Sequence, residues 1–245
     1  MNKAKVLDHG FVVLRNLAGP TRRTGMTITD VVEHTPLRDF DADDTDVANA
    51  ARMSFEGQDQ DRTYEQEMKL TRYLMANKHM TPFESIEVWL EMKLPIFVAR
   101  QFVRHRTATL NEVSGRYVQL PAEWYIPEVV GGKAANKKQG QEDNLTDIQQ
   151  EQFKFALNRH CQRGYLAYEG AIKDGVAPEH ARMFLSLNHY THWLWKQDLR
   201  NLMHFLALRQ DGHAQVEARA YADAIVGLLE PQVPGLMALY KELLA

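Results

Sequence analysis

The sequence predicts an α+β fold, a single domain over residues 1–245 with a central, mostly antiparallel sheet and flanking long helices. Three observations predict it. Between Ile86 and Leu94, apolar Ile86, Val88, Leu90, Met92 and Leu94 alternate with Glu87, Trp89, Glu91 and Lys93, the period-2 pattern of a half-buried strand. Residues 11–17 and 26–33 carry β-branched residues on either side of the turn-prone Gly19-Pro20 and read as two early strands. The second half of the chain reads as helices at 147–173, 191–210 and 213–230, with Gly212 between the last two. A chain of 245 residues that is 44% hydrophobic can bury a sizeable core without staples.

The remaining elements follow in chain order. The acidic run Asp39 to Asp46 reads as a solvated cap leading into a short Ala-rich helix, Val47 to Arg52, with carboxylates at its positive end. Residues 63–77 read as a helix. Thr81-Pro82-Phe83-Glu84 has the form of a capping box, with Pro82 at the first helical position, so a helix is expected to start there and expose free N–H groups. Pro95 opens a helix through Arg104, on which Phe97, Gln101 and Arg104 share a face. Residues 128–145, with Gly131-Gly132 and Lys137-Lys138, read as a long exposed loop. In 147–173, Phe153, Leu157, Cys161, Tyr165, Tyr168 and Ile172 recur at helical spacing, which makes Cys161 a small core residue. Trp193, Leu194, Trp195, Phe205 and Leu206 make 191–210 apolar almost all round, as expected of a helix buried in an interface.

Composition narrows the function. A net charge of -3 lacks the basic excess of a general polyanion binder, so no nucleic-acid partner is expected and anion binding must come from a local cluster. One cysteine excludes an intrachain disulfide and any zinc site built on several thiolates, and no metal is expected. The N-terminus MNKAKVLDHGFVVL lacks a signal-peptide core, and no run approaches the roughly 20 apolar residues of a membrane span. The expectation is a soluble cytoplasmic protein without a membrane partner.

The segment richest in chemistry is Arg104-His105-Arg106-Thr107-Ala108-Thr109-Leu110-Asn111-Glu112-Val113-Ser114-Gly115-Arg116-Tyr117. Three arginines, a histidine, four hydroxyls, an amide and a carboxylate fall within it. Guanidinium forks bind phosphate oxygens, while Asn, Ser and Glu read the edges of a polar heterocycle. Taken alone, the segment also fits a solvated basic loop or an RNA-binding one.

This run resembles the signature of the flavin-dependent thymidylate synthases, with Thr109 where that family typically has Ser, so the hydroxyl is kept. The resemblance extends upstream through Thr81-Pro82-Phe83-Glu84 and Pro95-Ile96-Phe97-Val98-Ala99-Arg100-Gln101. Downstream it takes in Leu202-Met203-His204-Phe205-Leu206-Ala207-Leu208-Arg209 and His213-Ala214-Gln215, covering about residues 47 to 220.

The resemblance implies a dUMP site made of Gln101, Arg104, Glu112, Ser114, Arg116, Arg182 and Arg209. Within it Arg116 serves the phosphate, and Arg209 is the catalytic residue at the N3–C4 carbonyl edge of the pyrimidine. It implies FAD contacts from Thr81, Arg104, His105, Arg106, Asp198, Leu199, Arg200 and His204, with Asp198 and His204 standing where the family often has Asn. An Asp is repelled by a pyrophosphate, so Asp198 is expected to meet an adenosine hydroxyl or nothing. The implied reaction methylates dUMP with methylenetetrahydrofolate and a hydride from reduced flavin, which NADPH regenerates. On one helix Arg209 lies opposite Arg200 and His204, and the resemblance implies a homotetramer whose sites are shared between chains. Cys161 sits in a core stripe, which disfavours a cysteine nucleophile, and Ser114 is assigned to ligand positioning. The rival enzymatic reading is a flavoprotein reductase with another acceptor; the rival from another class is an RNA-binding module.

Overall fold

A computed structural model describes residues 2–19, 41–54, 62–134 and 140–244. The strand expected at 26–33 lies outside the described residues. In chain order the elements begin with β1 (Lys3–Val6), β2 (Gly10–Ala18), α1 (Asp46–Arg52) and α2 (Tyr64–Ala76). A 3-10 turn (Thr81–Ser85), β3 (Glu87–Pro95), α3 (Ile96–Phe102) and β4 (Thr109–Glu112) follow. After them come β5 (Gly132–Lys133), β6 (Gln141–Glu142), α4 (Asp147–Lys173), α5 (Pro178–Ala181) and a second 3-10 turn (Arg182–Phe184). β7 (Tyr190–Asp198), α6 (Leu199–Gln210), α7 (Val216–Leu229) and α8 (Pro234–Leu243) complete the described chain.

The main sheet has the order β1-β2-β3-β7-β4, and every neighbouring pair is antiparallel. The α+β class and the antiparallel sheet therefore hold. Alternation explains which face turns inward. Val88, Leu90, Met92 and Leu94 of β3 and Trp193 and Trp195 of β7 are buried in one core with α6 and α7, and α8 packs on α7 behind them. The other face carries charge pairs across strands, Lys196 with Glu87, and both Arg15 and His192 with Glu91.

The expected helix at 191–210 is overturned in its first half. Tyr190–Asp198 is a strand paired along its whole length with β3, from Glu87 opposite Asp198 to Pro95 opposite Tyr190. Trp193 and Trp195 thus face the protein's own core, and an all-round apolar interface helix does not exist there. The aromatic spacing of two was the strand signal. Asp198 then caps α6, its carboxylate accepting from the Asn201 N–H at 2.9 Å.

Other expectations change in detail. Thr81 is not an N-cap. The turn it opens is a single 3-10 turn preceded by Met80 with no side-chain cap, so the capping box does not form. α3 ends at Phe102, which leaves Arg104 in the following turn and removes the shared helical face with Gln101. The loop 128–145 contains the short β5–β6 ladder. The described part of the acidic run is not a solvated cap, because Asp44 and Asp46 are buried. Asp44 holds the start of α8, accepting from the backbone N–H groups of Gly235 and Leu236 at 2.8 Å each and from the Tyr64 hydroxyl at 2.8 Å. α4 spans 147–173 as expected, and Cys161 is buried, hydrogen-bonded with Ser186 and Asn188. Among the described residues no helix is long and apolar enough to cross a membrane.

Candidate active site

The structure gathers most of the residues singled out by sequence into three clusters. The first lies where the end of α3 meets the end of α6. The Arg209 Nη2 donates to the Gln101 carbonyl at 3.5 Å and contacts His105 Nε2 at 3.1 Å. A guanidinium can only donate, so His105 Nε2 accepts and the ring proton sits on Nδ1. Burial pushes the His105 imidazole down to about 4 from its ordinary 6.5, and the nearby Arg209 and His204 add to that. A neutral ring at physiological pH is therefore consistent with its role as acceptor. Phe205 packs edge-on against His105 with centroids 4.9 Å apart, and the His204 ring lies 6.5 Å away.

Arg209 has no carboxylate partner among the described residues. Burial pushes its pKa down, and its Nε is buried without a hydrogen bond. It pairs with neither Asp211 nor Glu217, the acids nearest in sequence: Asp211 binds His213, and Glu217 accepts from the Tyr125 hydroxyl. The Gln101 side chain donates to Gln215 Oε1.

The second cluster lies at the end of β4. Glu112 accepts from the Thr191 hydroxyl, and Ser114 Oγ accepts from the Arg116 N–H at 3.3 Å. Arg116 donates to Glu179 of α5 at 3.2 Å. Gly115 is buried against Arg182, and a Cβ there would stand 3.4 Å from Arg182 Cδ and 3.2 Å from Leu120 Cδ1. Glu112, Ser114, Arg116 and Arg182 are thus neighbours, brought together by the packing of the β4 loop on the segment 178–184.

The third cluster surrounds a cleft of about 1080 Å³ lined by Thr81 and Arg200 together with Arg52, Tyr73, Lys78 and His79. Arg200 is ion-paired with Glu84 of the 3-10 turn. The sequence reading missed Tyr73, Lys78 and His79; the signal lay in a cation and an imidazole immediately before Thr81. A smaller basin of about 690 Å³ on the open sheet face contains none of the expected site residues.

Asp198 belongs to none of the clusters in a binding sense, since its two carboxylate oxygens bond the Asn201 backbone N–H and side-chain amide. Arg104 and Arg106 are exposed and make no side-chain hydrogen bond or ion pair among the described residues. The single helix α6 carries Arg200 to the cleft and Arg209 to the first cluster, while His204 sits with His105.

The arrangement sets arginines, of which Arg116 and Arg200 are ion-paired and Arg209, among the described residues, is not, among polar side chains on an α+β scaffold, a donor set that suits anionic small molecules. Comparison with known proteins narrows the class. The family described as "Thymidylate synthase complementing protein" matches residues 31–235. The flavin-dependent thymidylate synthase of Gluconobacter oxydans (strain 621H) is 43% identical over 220 residues, 87% of this chain and 72% of that protein. That of Thermus thermophilus is 44% identical over 207 residues, 84% of this chain and 74% of that protein. The chain belongs to the flavin-dependent thymidylate synthase family. In fold it is also similar to the crystal structure of the UMP/dUMP methylase PolB from Streptomyces cacaoi bound with 5-Br dUMP, with a TM-score of 0.79, 23% identity and 98% of each chain covered.

Proposed function

We propose that this chain, acting as one domain over 1–245, converts dUMP to dTMP. Methylenetetrahydrofolate supplies the carbon, NADPH supplies the reducing equivalents through FAD, and tetrahydrofolate and NADP+ are released. The observation that carries the reading is the half-buried Arg209 cation, which meets only neutral acceptors and keeps one N–H without a partner. Burying a cation without a counter-charge is costly, and an anionic ligand or transition state removes that cost. Arg209 is positioned to donate to the N3–C4 carbonyl edge of the pyrimidine and to stabilise the ring anion as N3 loses its proton, which raises the nucleophilicity of C5. His105, neutral and accepting from Arg209, orients that guanidinium.

Gln101 and the unpaired Arg104 complete this side of the dUMP site. Glu112, Ser114, Arg116 and Arg182 form the other, with Arg116 serving the phosphate. The two sets form separate clusters within one chain. That separation supports a site completed by another copy, as in a homotetramer with shared active sites. The cleft at Thr81 and Arg200 suits FAD, because Lys78 and Arg200 provide cations for a pyrophosphate while Leu70, Met80 and Pro82 provide apolar contact for a ring. Arg104, His105, Arg106 and His204 are assigned to the flavin side, whereas Asp198 acts there through the position of α6. Bound flavin supplies the hydride chemistry. Cys161, buried among Ser186 and Asn188, takes no part as a nucleophile.

The test is anaerobic incubation of the protein with FAD, NADPH, methylenetetrahydrofolate and dUMP, with dTMP followed by chromatography and each component omitted in turn. dTMP is expected only in the complete mixture. NADPH oxidation without dTMP would instead identify a flavoprotein reductase with another acceptor.

A further inference from the structure

The segment His213-Ala214-Gln215 stands out in the sequence, yet the proposed reaction assigns it no role. It forms the turn between α6 and α7, held at three points. Asp211 Oδ1 accepts from the His213 backbone N–H at 2.7 Å and from its Nδ1 at 2.9 Å. Arg219, one turn into α7, donates to the carbonyls of Gly212 and Ala214 at 3.1 Å each. The Arg219 backbone N–H closes on the Gln215 carbonyl at 2.9 Å.

Gln215 occupies the N-cap of α7, where a side chain ordinarily turns back to accept from its own helix. It makes no such bond. Its Oε1 instead accepts from the Gln101 Nε2, across 114 residues of sequence. The backbone carbonyl of the same Gln101 takes the Arg209 guanidinium. One residue therefore connects the turn to both sides of the first cluster.

We propose that Gln215 is a positioning residue that fixes the side-chain amide of Gln101 for dUMP. A free glutamine amide rotates between two nearly equivalent orientations, one with its carbonyl and one with its NH2 toward a given ligand atom. With one end of the Gln101 amide committed to Gln215, its opposite end is left facing away for the nucleotide, so much of the rotamer entropy of Gln101 is lost before the nucleotide arrives. This inference rests on the reading of Gln101 as a dUMP contact.

The experiment measures dUMP binding to the flavin-loaded full chain by calorimetry, alongside melting temperature. Its variants are Gln215→Met, Gln215→Glu, Gln101→Ala and the double variant Gln215→Met with Gln101→Ala. Methionine keeps the length and removes the acceptor; glutamate keeps an acceptor. Gln215→Met is expected to weaken dUMP binding by about tenfold, as for loss of one hydrogen bond, with an unchanged melting temperature. Gln215→Glu is expected to restore binding. The double variant is expected to bind no worse than Gln101→Ala alone, since the two side chains act as one unit. Wild-type affinity in Gln215→Met, with weakened binding in Gln101→Ala, overturns the positioning role alone. Wild-type affinity in Gln101→Ala overturns the underlying assignment of Gln101 and the positioning role with it.

Discussion

Arg209 and His105 meet across the junction of α6 and the turn after α3, with a guanidinium nitrogen 3.1 Å from the imidazole Nε2. Two potentially cationic side chains coexist at this distance because the histidine is neutral, held down by burial and by the arginine itself. The pair leaves one permanent positive charge in a half-buried site, oriented by a neutral neighbour.

Arg209→Ala is expected to retain bound flavin, seen in the visible spectrum, and to lose dTMP formation by about 100-fold or more, the scale for removing a donor to developing charge. Wild-type turnover by this variant would remove Arg209 from the chemistry.

The pH dependence follows from His105. Between its ordinary 6.5 and its folded value of about 4, the unfolded chain takes up a proton that the folded protein refuses. The stability contributed by the neutral ring is therefore fully present above about 6.5 and is lost as pH falls through about 4. His189, also pushed down to about 4 by burial, acts in the same direction. Asp46, pushed up to about 6 by burial, acts oppositely, its contribution being lost as pH rises through that value. Urea melts of wild type and His105→Asn are expected to show a shallower loss of stability on acidification in the variant. Parallel curves would refute the assignment of that slope to His105.

Asp198→Ala is expected to destabilise the protein by about 1 kcal/mol through loss of the α6 cap, measured by denaturant melts, while Asp198→Asn stays near wild type because an amide oxygen can also accept from the Asn201 N–H. Equal loss in both variants would point to the charge rather than the cap.

Asp44→Ala is expected to cost about 2 to 3 kcal/mol, since it leaves the Gly235 and Leu236 N–H groups and the Tyr64 hydroxyl without their acceptor. Tyr64→Phe, which removes one of the three bonds, is expected to cost about 1 kcal/mol. Thermal melts of both variants measure the difference, and an Asp44→Ala melt at the wild-type temperature would exclude the cap on α8.

Local pattern alone determined β3, whose alternation matches its buried face residue by residue, and α4, whose span of 147–173 is the one the helical spacing predicts. It also marked 104–117 as the segment most crowded with guanidiniums, hydroxyls and a carboxylate, whereas candidates outside it, such as Gln101, Arg182 and Arg209, came only from the family resemblance. Tertiary structure decided the rest. Residues 190–198 contain enough apolar side chains for either element, and only the partner strands β3 and β4 supply the hydrogen bonds that make them a strand. Asp44 looks like a solvated acid until α8, almost two hundred residues away, brings its unpaired N–H groups to it. Arg209 has acids close by in sequence, yet its neighbours in space are the Gln101 carbonyl and His105. Short-range periodicity reports which face a residue turns toward the core, but the partner of a buried charge or an unsatisfied helix end is chosen by long-range packing, which no local pattern encodes.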